Sequence, residues 1–118
     1  MAKRENIVEK VLEVTDVQLS IMESNPRQIN VKALGNAATP EWKDAHLSIV
    51  EYVMPPPDGI QDFDFLATPP DGIVPDVVTP ISASYRIEQE PKWLKGVRIR
   101  AATNSMVEHL DAAAGAGG

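Results

Sequence analysis

The chain has 118 residues, of which 43% are hydrophobic and 24% charged, with ten prolines and no cysteine. These values predict one globular domain with a sizeable core, because chains of about 100–150 residues normally close around a single core. The absence of cysteine excludes a disulfide scaffold, thiol catalysis and cysteine-bound metal centres, and the net charge of −6 disfavours nucleic-acid binding, which requires a positive field.

The amino-terminal part predicts a long strand. Residues 11–22 alternate apolar and polar side chains, with a slip of one residue between Val14 and Val17. A β-bulge produces such a slip, because it adds one residue to a strand. A short helix through residues 7–12 is the alternative, since apolar residues also recur there at helical spacing.

The next three segments predict strands that differ in which of their sides is buried. Residues 27–33 alternate strictly, as a half-buried strand requires. Residues 46–53 carry apolar side chains on both sides, which favours the interior of a sheet. Residues 60–67 place two phenylalanines on one face and two aspartates on the other.

The carboxy-terminal part predicts further short strands. Residues 73–78 indicate an edge strand interrupted by Pro75, because proline cannot donate to a central ladder. Residues 81–88 and 97–101 alternate clearly, whereas residues 104–110 fit a strand or a short helix.

About seven short strands separated by Pro and Gly turns are typical of a β-sandwich or barrel. We therefore expect an all-β domain over residues 1–110, an immunoglobulin-like Greek-key β-sandwich. A jelly roll, which has eight strands, is the alternative. Residues 111–118 are rich in Ala and Gly and predict a flexible tail.

One motif occurs twice: Pro-Pro-Asp-Gly-Ile at residues 56–60 returns at residues 69–73. The spacing predicts two equivalent turns, each with extended prolines followed by a reversal at Asp-Gly. A strand of about eight residues between them spans roughly 26 Å, so the turns are expected at its opposite ends, too far apart for one site.

The proline-rich turns are the main candidate for function. Consecutive prolines hold the chain extended, so little entropy is lost when a partner docks on them; the alternative is that they only shape the fold. Trp93 could stack on a ligand or close the end of the core. The candidate partner-binding residues are Pro55, Pro56, Pro57, Asp58, Pro69, Pro70, Asp71 and Trp93.

Acidic and basic residues concentrate in separate segments, residues 58–64 and 92–100. We expect two solvated faces of opposite sign. Asp62 and Asp64 would project from one strand face about 7 Å apart, which could bridge a calcium ion with help from a loop carbonyl. The alternative is that they blunt an exposed strand edge or face.

No catalytic motif is visible. His46 and His109 are the two histidines, and neither lies in a hydrolase, metalloprotease or phosphate-loop motif. The sequence therefore predicts a non-enzymatic module with no cofactor and no metal. A small hydrolase or a metal-dependent carbohydrate-binding module using Asp62 and Asp64 is the alternative.

The start of the chain carries charges, and no apolar run approaches 18 residues, so neither a signal peptide nor a membrane span is expected. A cytoplasmic protein is favoured because no signal peptide is visible, and a mature chain whose leader was removed is the alternative. We expect a protein partner, with no nucleic acid and no membrane, and a monomer or weak homo-oligomer.

Two stretches carry a resemblance to known proteins. They are Pro-Pro-Pro-Asp-Gly-Ile-Gln-Asp-Phe-Asp-Phe-Leu-Ala-Thr-Pro-Pro at residues 55–70 and Gly-Val-Arg-Ile-Arg-Ala-Ala-Thr-Asn-Ser at residues 96–105. Over about residues 40–105 the chain resembles a small bacterial family of uncharacterised single-domain β-sandwich proteins. The resemblance implies the fold but no activity and no site, and the residues themselves favour protein binding through the rigid turns or a strand edge.

Overall fold

The chain folds into two β-sheets that pack face to face, as described by a computed structural model over residues 7–111. The prediction of an all-β sandwich is confirmed. Within the described residues the eight strands are β1 (Glu9–Lys10), β2 (Glu13–Met22), β3 (Gln28–Ala37), β4 (Lys43–Ile49), β5 (Ile60–Thr68), β6 (Thr79–Ile87), β7 (Gly96–Arg100) and β8 (Ser105–His109).

The two sheets differ in their strand pairing. The first has the antiparallel order β2-β3-β6. The second sheet is centred on β5. One edge of β5 pairs with β4, and the other edge pairs with β7 at residues 60–64 and with β1 at residues 66–67. Strand β8 pairs with the free edge of β7. The pair β5–β7 is parallel, which departs from the antiparallel sheets of an immunoglobulin domain. A parallel pair needs a long crossover, and the excursion of the chain through β6 supplies it.

The amino-terminal prediction of a bulged strand is confirmed. The register of β2 against β3 shifts between Val14 and Asp16, so Thr15 is the additional residue. The helical alternative is wrong, because Glu9 and Lys10 pair with Ala67 and Leu66 of β5 as a short strand.

Two expectations in the carboxy-terminal half are also decided. Residues 73–78 form no strand, because Pro75 lacks the N–H that a ladder requires, and Ile73, Val77 and Val78 are exposed. Residues 105–109 form strand β8 rather than a helix. The tail expected at residues 111–118 lies, beyond Asp111, outside the described residues.

The core lies between the inner faces of the two sheets. Phe63 and Phe65 of β5 are fully buried, and the Phe63 ring packs against Tyr85 of β6 with 5.1 Å between the ring centroids. Aliphatic residues of both sheets, among them Ile29 and Ile99, fill the remaining space. Because side chains alternate along a strand, Asp62 and Asp64 are placed on the outer face of β5.

One side of the sandwich is closed by the turn between β7 and β8. The Asn104 side chain accepts a hydrogen bond from the Val14 N–H and donates one to the Val14 carbonyl, both 2.8 Å long. The backbone N–H groups of Ala102 and Thr103 donate to the carbonyls of Val11 and Leu12. The opposite side is bordered by the edge strands β4 and β6, which no ladder joins within residues 7–111.

Candidate functional site

The loop from β4 to β5, residues 50–59, which we call the proline loop, is fixed where it leaves β4. The Val50 N–H donates to the Asp62 carbonyl at 3.0 Å, and Gln61 Nε2 donates to the Val50 carbonyl at 2.6 Å. The Tyr52 hydroxyl donates to Asp62 Oδ2 at 2.8 Å, and its ring meets Trp93 edge to face at 6.3 Å. These contacts hold the first part of the loop against β5 and the segment before β7.

The proline loop is fixed equally well where it enters β5. The Gly59 N–H donates to the Pro56 carbonyl at 3.0 Å, and the Lys95 N–H donates to the Gly59 carbonyl at 2.8 Å. Gly59 has a φ of +70°, a conformation that glycine adopts without steric cost. The Asp58 carboxylate accepts a hydrogen bond from the Ile60 N–H, which lowers the pKa of Asp58 below its ordinary value.

The apex of the proline loop exposes apolar side chains between these two anchors. Val53 is 103% exposed and Met54 is 74% exposed. Pro55 and Pro57 beside them are exposed as well. Neighbouring exposed apolar side chains on a loop that is anchored at both ends make the apex a candidate interaction surface.

The second Pro-Pro-Asp-Gly motif does not form an equivalent turn. It lies at the other end of β5, as its spacing predicts, but Gly72 lacks a positive φ and a Cβ there would meet nothing within 4 Å. At Gly59 a Cβ would lie 2.8 Å from the Trp93 carbonyl oxygen. Only the first motif packs against the segment before β7, and this packing makes the two turns different.

The predicted partner-binding residues therefore divide into two groups. The structure brings one group together at the proline loop, and it places the other at the far end of β5, beside Glu9 and Lys43. The first group consists of Pro55, Pro56, Pro57, Asp58 and Trp93, and the second of Pro69, Pro70 and Asp71.

The outer face of β5 and β7 carries a ladder of ion pairs. The parallel register sets Asp62 opposite Arg98 and Asp64 opposite Arg100. Arg98 Nη1 lies 2.7 Å from Asp62 Oδ1, and Arg100 Nε lies 2.8 Å from Asp64 Oδ1. The hydrogen bond to Asp64 raises the pKa of Arg100 above its ordinary value.

This ladder corrects the expectation of two separate charged faces. The acidic and basic segments lie on neighbouring strands, so their charges alternate on one face and pair with each other. The carboxylates considered as calcium ligands, Asp62 and Asp64, are instead held by arginines. Among residues 7–111 no cluster of three or more His, Asp or Glu side chains is arranged to hold a metal ion.

A groove lies beside the proline loop, at the open side of the sandwich. It consists of two adjoining depressions with volumes of about 510 and 470 Å³, and Ile49, Gln61 and Tyr85 line both. Leu94 lines the first depression, and Tyr52, Trp93 and the loop apex line the second.

Sequence reasoning missed Gln61 and Tyr85 as groove residues. Tyr85 offered no separate signal, since its position in the alternation is that of a core residue. Gln61 did offer one, because it occupies an inward position of β5, in phase with Phe63 and Phe65. Buried polar groups are rare unless they are hydrogen-bonded, so a glutamine at such a position indicates a special environment.

The two histidines lie apart from this groove. His46 is exposed on β4, with Nδ1 2.9 Å from the Asp44 carbonyl oxygen, and His109 is exposed at the end of β8.

No helix within the described part of the chain is long and apolar enough to cross a membrane.

No protein-family model, curated protein or solved structure matches this chain. The resemblance to a bacterial family over residues 40–105 stays a prediction.

Proposed function

We propose that this protein is a non-enzymatic protein-binding module that docks a partner through the proline loop. The observation that carries the proposal is the exposure of Val53 and Met54 on a loop hydrogen-bonded at both ends. A partner that buries these side chains gains about 1.5–3 kcal/mol for each one. Because the loop is already fixed, little of this gain is lost to ordering the chain.

Strand addition, the other expected binding mode, has weaker support. The free edge strands carry Lys43 on β4 and Pro80 on β6. Lysine and proline at an edge both discourage pairing with a further strand. The hydrolase or metal-dependent carbohydrate alternative has no supporting observation either, since Asp62 and Asp64 already pair with arginines.

Affinity capture with single variants tests the proposal. The immobilised protein is exposed to a cell extract, and retained proteins are quantified by mass spectrometry for wild type, Val53→Asp and Met54→Asp. Ile73→Asp is the matched control, because Ile73 is 104% exposed on the loop that follows the other end of β5. All variants should melt within a few degrees of wild type, since these side chains contribute little to the core.

We expect one discrete partner to be retained by wild type and by Ile73→Asp, and to fall at least about tenfold for either loop variant, which corresponds to about 1.4 kcal/mol. Retention that is unchanged in the loop variants contradicts the proposal. Equal loss in Ile73→Asp contradicts it as well, because the effect would then follow from added charge alone.

A further inference from the structure

We infer that the groove beside the proline loop binds an extended, proline-containing basic peptide segment in the polyproline II conformation. The inference rests on the proposed function and names the class of partner. We call this groove the aromatic groove; its defining residues are Ile49, Tyr52, Gln61, Tyr85, Trp93 and Leu94.

The shape of the aromatic groove suits such a segment. Its walls include three half-buried aromatic rings, and its two depressions adjoin through shared lining residues. A polyproline II helix has three residues per turn and rises about 3.1 Å per residue, so prolines three apart present their rings on one side about 9 Å apart. Aromatic-lined grooves recognise this conformation because it is extended before binding and loses little entropy.

Two side-chain hydrogen-bond donors of the groove are unused. Trp93 Nε1 and the Tyr85 hydroxyl have no hydrogen-bond partner among the described residues, whereas the Tyr52 hydroxyl is bound to Asp62. Since no buried side-chain nitrogen or oxygen of the described residues lacks a partner, both free donors reach solvent. A proline-rich backbone offers carbonyl acceptors and few N–H donors, which complements this set.

Gln61 adds one oriented acceptor between the two depressions. Gln61 is only 6% exposed, and its Nε2 donates to the carbonyls of Val50 and Asp62 at 2.6 and 3.0 Å. These bonds fix the amide plane and leave Oε1 without a protein donor in the described part of the chain. The oxygen can accept the N–H of a residue that stands between prolines.

Charge selects a basic segment. Among the described residues that line the two depressions, Glu51 and Glu88 are the charged ones, and no lysine or arginine is among them. The whole chain carries a net charge of −6. Basic residues that flank the prolines would therefore be attracted to both the rim of the groove and the molecule as a whole.

A synthetic peptide tests the inference directly. The probe is Arg-Arg-Pro-Leu-Pro-Pro-Leu-Pro, and the matched controls replace every proline by alanine or both arginines by glutamate. Binding to the full chain is followed by ¹H–¹⁵N NMR and by tryptophan fluorescence. We expect saturable shifts of the Trp93 indole N–H and of the Gln61 side-chain amide, at least about fivefold weaker binding of each control peptide, and loss of affinity at high salt.

Two variants compare the groove with a distant exposed site. Tyr85→Phe removes one hydroxyl without changing the ring, and we expect it to weaken the peptide at least about fivefold. Ile73→Asp should leave the affinity unchanged. No binding at millimolar peptide, equal binding of the alanine control, or an unchanged affinity in Tyr85→Phe overturns the inference.

Two outcomes distinguish this inference from the proposed function. If the peptide does not bind while capture of a partner still depends on Met54, the groove assignment fails and the protein-binding proposal stands. If the groove resonances shift on raising protein concentration without peptide, a second copy of this chain is the occupant, and the inference is overturned.

Discussion

The ion pair between Asp62 and Arg98 offers a quantitative test of the parallel register. Asp62 is 14% exposed and Arg98 is 32% exposed at the side chain, and their closest atoms are 2.7 Å apart. Fully exposed pairs contribute about 0.2–1 kcal/mol, whereas hydrogen bonds to charged groups contribute about 1.5–3 kcal/mol. For this half-buried pair we expect a coupling free energy of about 1 kcal/mol.

A double-mutant cycle with Asp62→Ala, Arg98→Met and both together measures this coupling. Asp62→Ala alone should lower the free energy of unfolding by about 2 kcal/mol, because it also removes the acceptor of the Tyr52 hydroxyl. Arg98→Met keeps an unbranched apolar stem on the sheet, so mainly the charge is lost. Urea unfolding gives each free energy, provided that the slope with urea stays constant.

Arg86→Met provides the control cycle. Arg86 is exposed on β6 and has no ion pair with a described residue, so its coupling to Asp62 should be about zero. In about 1 M salt, where the screening length falls to roughly 3 Å, the Asp62–Arg98 coupling should decrease. A coupling below about 0.3 kcal/mol at low salt, or an equal coupling to Arg86, would refute the reasoning.

Three further measurements test contacts elsewhere in the fold. Asn104→Ala removes both hydrogen bonds to the backbone of β2 and should lower the free energy of unfolding, measured by urea unfolding, by about 2 kcal/mol. The control Ser105→Ala should change this free energy by less than about 0.5 kcal/mol. Gly35→Ala would put a Cβ 2.1 Å from the Glu13 carbonyl oxygen, so we expect a loss of about 3 kcal/mol, and unchanged stability would disprove this close approach. Burial, and then the hydrogen bond to a neighbouring carboxylate, raises the pKa of Tyr52 above 10.0. The folded state thus holds the Tyr52 proton more tightly than the unfolded state does. The protonated Tyr52 hydroxyl therefore stabilises the fold fully below pH 10, and this stabilisation is lost as the pH rises through the folded pKa. Thermal melts between about pH 8 and 12 should show a steeper alkaline decline of stability for wild type than for Tyr52→Phe.

The local parts of the fold follow from alternation in the sequence. The inward phenylalanines of β5 and the bulge in β2 are both visible as period-two patterns, because such a pattern reports which side of a strand is buried. The pairing of β5 with β7 is not visible in this way. Their residues lie 36 positions apart in the register, and no local pattern specifies which strand will be the neighbour or in which direction it will run.

The same distinction applies to the candidate site. The rigidity of Pro55, Pro56 and Pro57 can be predicted, since proline restricts its own backbone. The aromatic groove cannot, because β4, β5, β6 and the segment before β7 each contribute to it. The ladder of ion pairs cannot be predicted for the same reason. The acidic and the basic segment share one face of the sheet only because β7 lies beside β5.

The shared edge of β5 affects the order in which this molecule can assemble. The edge is occupied at one end by β1, which precedes the other described strands along the chain, and at the other by β7, which follows β6. While β7 is still missing, half of this edge presents unpaired backbone groups to solvent and to other nascent chains. The second sheet therefore cannot be completed before β7 has been made, and folding must wait for contacts between distant parts of the chain, a pattern associated with slow folding.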